Sequence, residues 1–313
     1  MRHILCLLIA ALSIISSSAQ SDSAWVSVSI PVVCIREGRG HSTELSSQAV
    51  MGTPMLVLED DGSEWLLLKG PDNYEGYVNV SGLTRLSHRQ MTAWRKASRV
   101  VVTALDDSRI YTDTTDLSPR NVVSTLVCSS ILEGIPANGR YSFVTTPDGR
   151  NGWIETARIA SIDQWGNDAF NADDIIDRCY YLMGTPYLWG GCTPKSMDCS
   201  GLVRLTYFAS GILTLRDASQ QFNSGLRLAP EQTDMLRRGD LLFFSNTPDG
   251  GITHVALYDC NGTYIHSSGK VRVSRMAEDD ADFASRVYRG ASRIAGMEDS
   301  FGIWRIKNHP WYF

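Results

Sequence analysis

The sequence predicts an α+β protein in which two small β-barrels precede a larger domain of helices followed by strands. A nine-residue pattern occurs twice, at 70–78 and 146–154, each time as a Pro-Asp turn followed by glycine, an aromatic residue and an aliphatic residue. Short β-rich segments precede both copies. After Ser161 the apolar periodicity becomes helical and then returns to that of strands.

The N-terminus predicts a signal peptide over residues 1–19. A basic start leads into the apolar run 4–15, and Ser17 and Ala19 supply small residues for cleavage. No later apolar run is long enough to span a bilayer. We therefore expect an exported protein, periplasmic or extracellular, without a membrane anchor.

The repeat places the first barrel at 24–86 and the second at 98–162, with a helical linker at 87–97 between them. A third domain is expected at 168–313. Its first helix begins after Asn171 and ends at Gly184. A second helix covers 199–209, and a short third helix follows a capping box formed by Asp217 and Gln220. The clearest strands are 239–245, 253–259 and 263–268, with a last strand near the C-terminus.

Composition narrows the function classes. The formal net charge is -5 and no basic stripe is present, so nucleic acid is not an expected partner. Six cysteines remain after signal cleavage, and an even number in an exported chain favours disulfides. A chain of this length does not need them, and Cys34, Cys128 and Cys179 lie in apolar runs typical of buried thiols. The pairing of the remaining cysteines and the oligomeric state stay open.

Cys199 is the candidate nucleophile. It lies at the predicted start of the second helix, where backbone N–H groups and the helix dipole favour the thiolate and lower the thiol pKa. A nucleophilic thiol needs a base, and the mature chain has five histidines. His254 and His266 lie on consecutive strands and are the leading candidates for the base and the residue that orients it.

Strand parity decides whether the two histidines can meet. A two-residue hairpin at Asn261 and Gly262 would place them on opposite faces of the sheet. An odd loop over 260–262, with Gly262 in the left-handed conformation, would place them on one face as diagonal neighbours. Because a catalytic triad requires one face, we expect the odd loop.

These residues resemble the NlpC-type papain-like cysteine peptidases of bacterial cell walls. The resemblance covers roughly 169–313 and rests on five motifs in order: "GTPYLWGG", "DCSGLV", "RRGDLLFF", "THVALY" and "YIHSS". The barrels resemble bacterial SH3-like domains. The implied fold is α+β, a papain-like cysteine peptidase domain preceded by two small SH3-like β-barrels. The implied roles are Cys199 as nucleophile, His254 as general base and His266 as the orienting third member.

The whole chain resembles the γ-D-glutamyl-L-diamino acid endopeptidases of the dipeptidyl-peptidase VI type. These enzymes trim murein peptides that begin L-Ala-γ-D-Glu, and their first barrel helps to close the substrate cleft. The resemblance implies a murein peptide as the partner, with neither a cofactor nor a metal. The identity of the diamino acid, diaminopimelate or lysine, and the origin of the peptide, recycled or foreign, stay open.

Further roles follow from this resemblance. Tyr187 would lie near the oxyanion together with the Cys199 backbone N–H. Trp189 would line the pocket, Asp198 would face the substrate amine, and Ser200 would hydrogen-bond the peptide.

The resemblance implies pocket residues from two further segments. Arg216 and Asp217 match a pocket-lining "RDS", except that Ala218 replaces the serine, and Asp217 could equally be only a helix cap. From the first barrel, Glu44 and Tyr77 would meet the free N-terminus of the substrate.

Other functions stay open on the residues alone. A general endopeptidase of murein stem peptides would use the same cleft without demanding a free amine. A non-catalytic wall-binding protein would use its barrels and show binding without turnover. A zinc peptidase is disfavoured because HExxH and CxxC motifs are absent from the sequence.

Overall fold

The computed structural model describes residues 24–167 and 169–313. The predicted signal peptide, 1–19, and residue 168 lie outside the described residues. Among the helices that are described, none is both long and apolar enough to cross a membrane.

The first barrel is a seven-stranded antiparallel sheet with strand order β3-β2-β6-β5-β4-β1-β7. Its strands are β1 (Trp25–Val28), β2 (Val32–Arg36), β3 (Leu45–Val50), β4 (Pro54–Glu59), β5 (Trp65–Lys69), β6 (Glu75–Asn79) and β7 (Leu83–Leu86). Alternate side chains point inward, as in β5 and β6, where Leu66, Leu68 and Val78 pack into the barrel core. Each fully buried aliphatic side chain of this kind contributes about 1.5–3 kcal/mol.

The second barrel repeats this topology strand for strand, with order β10-β9-β13-β12-β11-β8-β14. Its strands are β8 (Arg99–Val102), β9 (Ser108–Tyr111), β10 (Val122–Leu126), β11 (Ile131–Gly134), β12 (Tyr141–Thr145), β13 (Asn151–Glu155) and β14 (Ile159–Ser161). The two copies of the sequence repeat form β6 and β13, which occupy the same place in the two sheets. The sequence repeat is therefore a repeat of the whole barrel.

Helix α1 (His88–Lys96) joins the barrels where a helix was predicted. Ser87 caps it: its side chain accepts from the backbone N–H of Gln90, and the Gln90 side chain accepts from the backbone N–H of Ser87. Met91 and Trp94 form the buried face of the helix.

The third domain sets helices against a six-stranded sheet with order β18-β23-β19-β20-β21-β22. Its helices are α2 (Ile162–Asn167), α3 (Ala172–Tyr181), α4 (Cys199–Phe208), α5 (Ala218–Gln221) and α6 (Ala281–Ala284). Its strands are β15 (Cys192–Thr193), β16 (Ser196–Met197), β17 (Ile212–Thr214), β18 (Leu226–Leu228), β19 (Leu241–Ser245), β20 (Ile252–Tyr258), β21 (Thr263–Ser268), β22 (Lys270–Arg275), β23 (Val287–Arg293) and β24 (Ile303–Arg305). The predicted fold class, barrels followed by a papain-like α+β domain, is confirmed.

Helix α4 is the centre of this domain. Leu202 and Val203 on α4 are fully buried and belong to one apolar core with Val255, Leu257 and Ile265 of the sheet. Because α4 is buried along most of its length, its N-terminus is held firmly against β20 and β21.

The three domains share a second apolar core. Trp25 of the first barrel, Val101 of the second, Trp94 of the linker helix and Trp165 and Tyr312 of the third domain belong to it. Shared burial of this kind resists relative motion of the domains, so the first barrel has a defined position beside the third domain.

Candidate active site

One cleft of about 700 Å³ lies between the first barrel and the third domain. Residues from both domains form its walls, and they include Cys199, His254 and most of the predicted site residues. The lining residues are Glu37, Ser46, Tyr74, Tyr187, Trp189, Asp198, Cys199, Ser200, Arg216, Asp217, Ala218, Ser219, Asn246, Ile252, Thr253, His254, Ser267, Ser268, Gly269 and Arg286.

Cys199 is the first residue of α4, and Asp198 caps that helix by accepting from the backbone N–H of Gly201 at 2.7 Å. The sequence predicted a lowered thiol pKa at this position. Instead, burial and then the Asp198 carboxylate raise the pKa of Cys199 to about 11, against the opposing effect of the backbone N–H groups of Val255 and Ser200. That prediction was wrong because the thiol is 7% exposed, and loss of water outweighs the helix terminus.

The two histidines meet in the structure. Nε2 of His254 lies 2.8 Å from Nδ1 of His266, and both side chains are buried. Burial lowers the pKa of His254 well below its usual value, with further contributions from His266 and Arg286. At neutral pH the imidazole is therefore uncharged and able to accept a proton.

The hairpin that brings them together differs from the predicted odd loop. Its turn has two central residues, Asn261 and Gly262, with φ of 50° and 76°, and Thr263 N–H donates to Cys260 O at 2.8 Å. The next bond runs from the backbone N–H of Asp259 to the carbonyl oxygen of Thr263, at 3.0 Å. The extra residue therefore lies at the end of the first strand of the hairpin, β20, and not in the turn. This bulge places His254 and His266 on the same face of the sheet, as predicted.

A chain of hydrogen bonds determines which nitrogen of His254 can act as base. Ser274 donates its hydroxyl to Asp282 at 3.3 Å, so it accepts from Nε2–H of His266 at 3.1 Å. The Nδ1 atom of His266 is then an acceptor, and His254 donates to it from Nε2. This assignment leaves the unprotonated Nδ1 of His254 available in the cleft that contains Cys199.

Asp198 lines the cleft, as predicted, and is also paired inside the protein. Arg216 holds it with two nitrogens, at 3.2 and 2.5 Å, and Gly190 N–H donates to it at 2.9 Å. Ser200 donates its only hydroxyl hydrogen to Asp198 at 3.2 Å and accepts from Arg216 at 2.8 Å. Asp198 is therefore neutralised, and Ser200 can only accept a hydrogen bond from a substrate.

Three other predicted residues line the cleft as expected. Trp189 is 60% exposed, so its ring is available to a ligand. Burial and then the nearby Cys199 and Asp198 raise the pKa of Tyr187, so its hydroxyl stays protonated and can donate. Asp217 precedes α5 and is half-buried, and burial raises its pKa. Its backbone N–H donates to Gln220 at 3.0 Å, so it serves as a helix start and as a cleft residue.

The first barrel contributes different residues from those predicted. Glu37 and Tyr74 line the cleft, whereas Glu44 and Tyr77 do not appear among the described residues that line it. Tyr77 lies in strand β6, and the guanidinium of Arg39 covers its ring.

A β-bulge occurs between β2 and β3 at Ser46, which lines the cleft. The pairing of β2 with β3 shifts after Ile35, so Arg36 pairs with Leu45 and Ser46 is the extra residue. Ser46 lines the cleft together with Glu37. The backbone oxygen of Glu44 accepts from Glu37 N–H at 3.1 Å, but the exposed Glu44 is not among the described residues that line the cleft. Local sequence carries no signal for this bulge, although "DNYEGY" does place Tyr74 in a turn, beside Asn73 with φ of 63°.

Direct polar contacts attach the first barrel beside the cleft. Arg216 donates from Nε to the Ser47 hydroxyl at 3.0 Å, and Cys192 N–H donates to the Gln48 side chain at 3.0 Å. Buried Asp72 of the barrel forms an ion pair with Arg204 of α4. Arg216 thus links Asp198, the cap of the Cys199 helix, to the barrel wall.

All six described cysteines are free thiols in this structure, Cys192 and Cys199 among them. Cys128 and Cys179 are buried as predicted, whereas Cys34 is only half-buried because it lies on the outward side of β2. The site therefore presents an unoxidised thiol, an uncharged imidazole and a protonated phenol in one cleft, the groups required for nucleophilic attack on a carbonyl.

Two regions of the chain match known families. Residues 184–289 match the NlpC/P60 family, and residues 35–83 match the bacterial dipeptidyl-peptidase Sh3 domain. The chain is 28% identical over 250 residues to dipeptidyl-peptidase 6 of Lysinibacillus sphaericus, covering 75% of this chain and 85% of the relative. It is 27% identical over 261 residues to the γ-D-glutamyl-L-lysine dipeptidyl-peptidase of Bacillus cereus (strain ATCC 10987 / NRS 248), covering 81% and 76%.

A solved structure shows the same fold along most of the chain. The crystal structure of an NlpC/P60 family protein from Bacillus cereus ATCC 10987 covers 87% of this chain and 100% of its own, with a TM-score of 0.75 and 19% identity. The agreement extends over barrels and third domain together.

Proposed function

The chain is a cysteine peptidase of the NlpC/P60 family with a bacterial dipeptidyl-peptidase SH3 domain before its catalytic domain, and on that premise we propose which bond it cuts. The substrate is a murein peptide with a free N-terminal L-Ala, and the bond is the one between γ-D-Glu and the diamino acid. The reaction releases L-Ala-γ-D-Glu during cell-wall turnover or recycling. The relatives named dipeptidyl-peptidase 6 and γ-D-glutamyl-L-lysine dipeptidyl-peptidase support the proposal.

The observation that carries the proposal is that residues of the first barrel form part of the cleft wall. Glu37, Ser46 and Tyr74 from the barrel and Asp217 from the third domain line the same cleft as Cys199. The nearby Asp217 raises the pKa of Tyr74, second to burial, so these two side chains lie close to each other. These barrel residues and Asp217 therefore form one group in the cleft wall.

The charges of this wall favour an ammonium group. Glu37 and Asp217 line the cleft, and no ion pair of either is found among the described residues. Asp198, in contrast, is neutralised by Arg216. A desolvated ammonium is costly unless it is paired, so two carboxylates beside Tyr74 can hold the free amine of L-Ala. Intact murein lacks this amine, because its L-Ala is amide-linked, and it should be refused.

The proposed mechanism uses the groups as the structure orders them. His254 accepts the thiol proton at Nδ1 as the sulfur attacks the carbonyl carbon, and His266 holds the imidazole from the other nitrogen. Cys199 N–H and the Tyr187 hydroxyl stabilise the oxyanion. The imidazolium then protonates the leaving amine, and water hydrolyses the acyl-enzyme with His254 again as base.

The test compares kcat/KM on L-Ala-γ-D-Glu-L-Lys with its N-acetyl form. Acetylation removes the positive charge and leaves the carboxylates unpaired, which should cost about 2 to 5 kcal/mol, a factor of tens to thousands. Glu37→Gln should reduce this discrimination. The matched control Glu44→Gln, a similar change on the same loop outside the cleft, should retain it.

Equal rates on both peptides would contradict the proposed specificity and indicate a general stem-peptide endopeptidase. Activity that survives a chelator and is abolished by a thiol alkylating agent identifies the cysteine mechanism. Binding of murein without any turnover would instead support a wall-binding protein.

We also propose that the protein acts outside the cytoplasm, on the strength of the predicted signal peptide at 1–19. N-terminal sequencing of the protein recovered from the cell exterior or periplasm should find a start near Gln20. Recovery of uncleaved protein only from the cytoplasm would contradict export.

A further inference from the structure

The far end of the cleft carries the opposite charge from the amine end. Among the described lining residues, the charged side chains are Glu37, Asp198, Arg216, Asp217 and Arg286. The pairing of Asp198 with Arg216 removes two of them from consideration. Two acids then remain on the amine side, and one cation, Arg286, remains elsewhere in the cleft.

Arg286 lies on the histidine side of the cleft. It donates to the Ser268 hydroxyl from Nη2 at 3.2 Å, and Ser268 ends the strand that carries His266. Its charge contributes to lowering the pKa of both His254 and His266, after burial. On the amine side, burial raises the pKa of Asp217, and the charges that lower it are those of Arg216 and Arg204. Because His254 protonates the leaving amine, the leaving residue lies on the histidine side of the cleft, which is the side that Arg286 lines.

The positive charge of Arg286 is only partly compensated. Its Nη1 contacts the backbone oxygen of Asp282 at 2.9 Å and a carboxylate oxygen of Asp282 at 3.4 Å. Arg272 occupies the other carboxylate oxygen of Asp282 at 2.8 Å. Two guanidinium groups share one carboxylate, which leaves an excess positive charge.

Arg286 can still bind a ligand. Its side chain is 20% exposed. Nη2 carries two hydrogens and donates only one of them, to Ser268. A partly buried guanidinium with excess charge and a free N–H is a carboxylate-binding group.

We propose that Arg286 binds a carboxylate of the residue that leaves after cleavage, which makes it a specificity-determining residue. This inference rests on the proposed function for the identity of that residue, the diamino acid. The carboxylate is the α-carboxylate when the peptide ends there, or the distal carboxylate when the residue is diaminopimelate. Glu37 and Asp217 at one end and Arg286 at the other then recognise a short peptide by both of its charged ends.

The experiment measures kcat/KM on three peptides: L-Ala-γ-D-Glu-L-Lys, its C-terminal amide, and L-Ala-γ-D-Glu-diaminopimelate amidated only at the α-carboxylate. The wild type should cleave the acid about tenfold or more faster than the lysine amide, since a charge-assisted hydrogen bond is lost. Arg286→Gln should bring this ratio close to one. If the distal carboxylate is recognised, the third peptide should regain the rate in the wild type and not in Arg286→Gln.

Arg272→Gln is the matched control. It removes the other guanidinium from Asp282, and so changes the field at His266 similarly, but Arg272 does not line the cleft. The acid-to-amide ratio should survive in this variant. A wild-type ratio near one together with no faster cleavage of the diaminopimelate peptide than of the lysine amide would overturn the assignment, and so would a ratio that persists in Arg286→Gln.

A second measurement keeps the inference testable if the proposed substrate is wrong and the wild type cleaves none of these peptides. Nα-acetyl-L-lysine should protect Cys199 from iodoacetamide better than Nα-acetyl-L-lysine amide does, and Arg286→Gln should remove the difference. Equal protection by the acid and the amide would overturn the role of Arg286, independently of turnover.

Discussion

Nε2 of His254 lies 2.8 Å from Nδ1 of His266, and this single contact orders the catalytic groups. His266 can accept there only because its other nitrogen donates to Ser274, whose hydroxyl donates to Asp282. The base nitrogen of His254 is consequently its Nδ1. The role of His266 is to hold a tautomer and a ring orientation, and a proton need never reach it.

This relationship predicts unequal costs for the two histidines. His254→Ala removes the proton acceptor and should abolish turnover. His266→Ala leaves the base in place, but the His254 ring loses the hydrogen bond that orients it. The second variant should lose kcat with little change in KM and keep measurable activity. The check is a full kinetic comparison on L-Ala-γ-D-Glu-L-Lys, with exposed His88→Ala as the control. Equal activity loss in both variants would contradict the orienting role.

The state of the thiol predicts a pH dependence. Burial raises the pKa of Cys199 to about 11, so the thiol is protonated throughout the neutral range and its thiolate fraction grows with pH. Alkylation of the Cys199 peptide in ligand-free protein should therefore accelerate about tenfold per pH unit between roughly pH 7 and 9, as followed by mass spectrometry. A rate independent of pH across this range would indicate a preformed thiolate and imidazolium pair.

The closeness of barrel and catalytic domain predicts a role for Gly190. It has φ of 77°, and a Cβ there would lie 2.5 Å from the carbonyl oxygen of Leu45 in the first barrel. Gly190→Ala should displace the barrel, lower the midpoint of thermal unfolding, and reduce the discrimination against the N-acetyl peptide.

Gly62→Ala separates this contact from backbone strain. Gly62 has φ of 79°, but nothing lies within 4 Å of the position that an alanine methyl would occupy, so only the strain of a left-handed alanine, about 1 kcal/mol, is introduced. This variant should retain the discrimination. An equal loss of discrimination in both variants would show that the contact between Gly190 and the first barrel does not determine specificity.

Much of the architecture was determined by the sequence alone. The repeated turn pattern identified two barrels, and the caps at Asn171 and Asp217 marked helix starts, because these signals are local and involve residues within one turn of each other. The order of motifs around Cys199, His254 and His266 likewise indicated one cleft. Local backbone chemistry and side-chain periodicity are sufficient for predictions of this kind.

Only the tertiary structure decided which charges face the substrate. The docking of the first barrel against the third domain placed Glu37, and not Glu44, in the cleft wall, and Arg216, eighteen residues away in the chain, neutralised Asp198. Burial reversed the expected pKa shift of Cys199, because the loss of water depends on every element packed around the thiol. Register, pairing and solvation are set by contacts between distant segments, and no local pattern in the sequence records them.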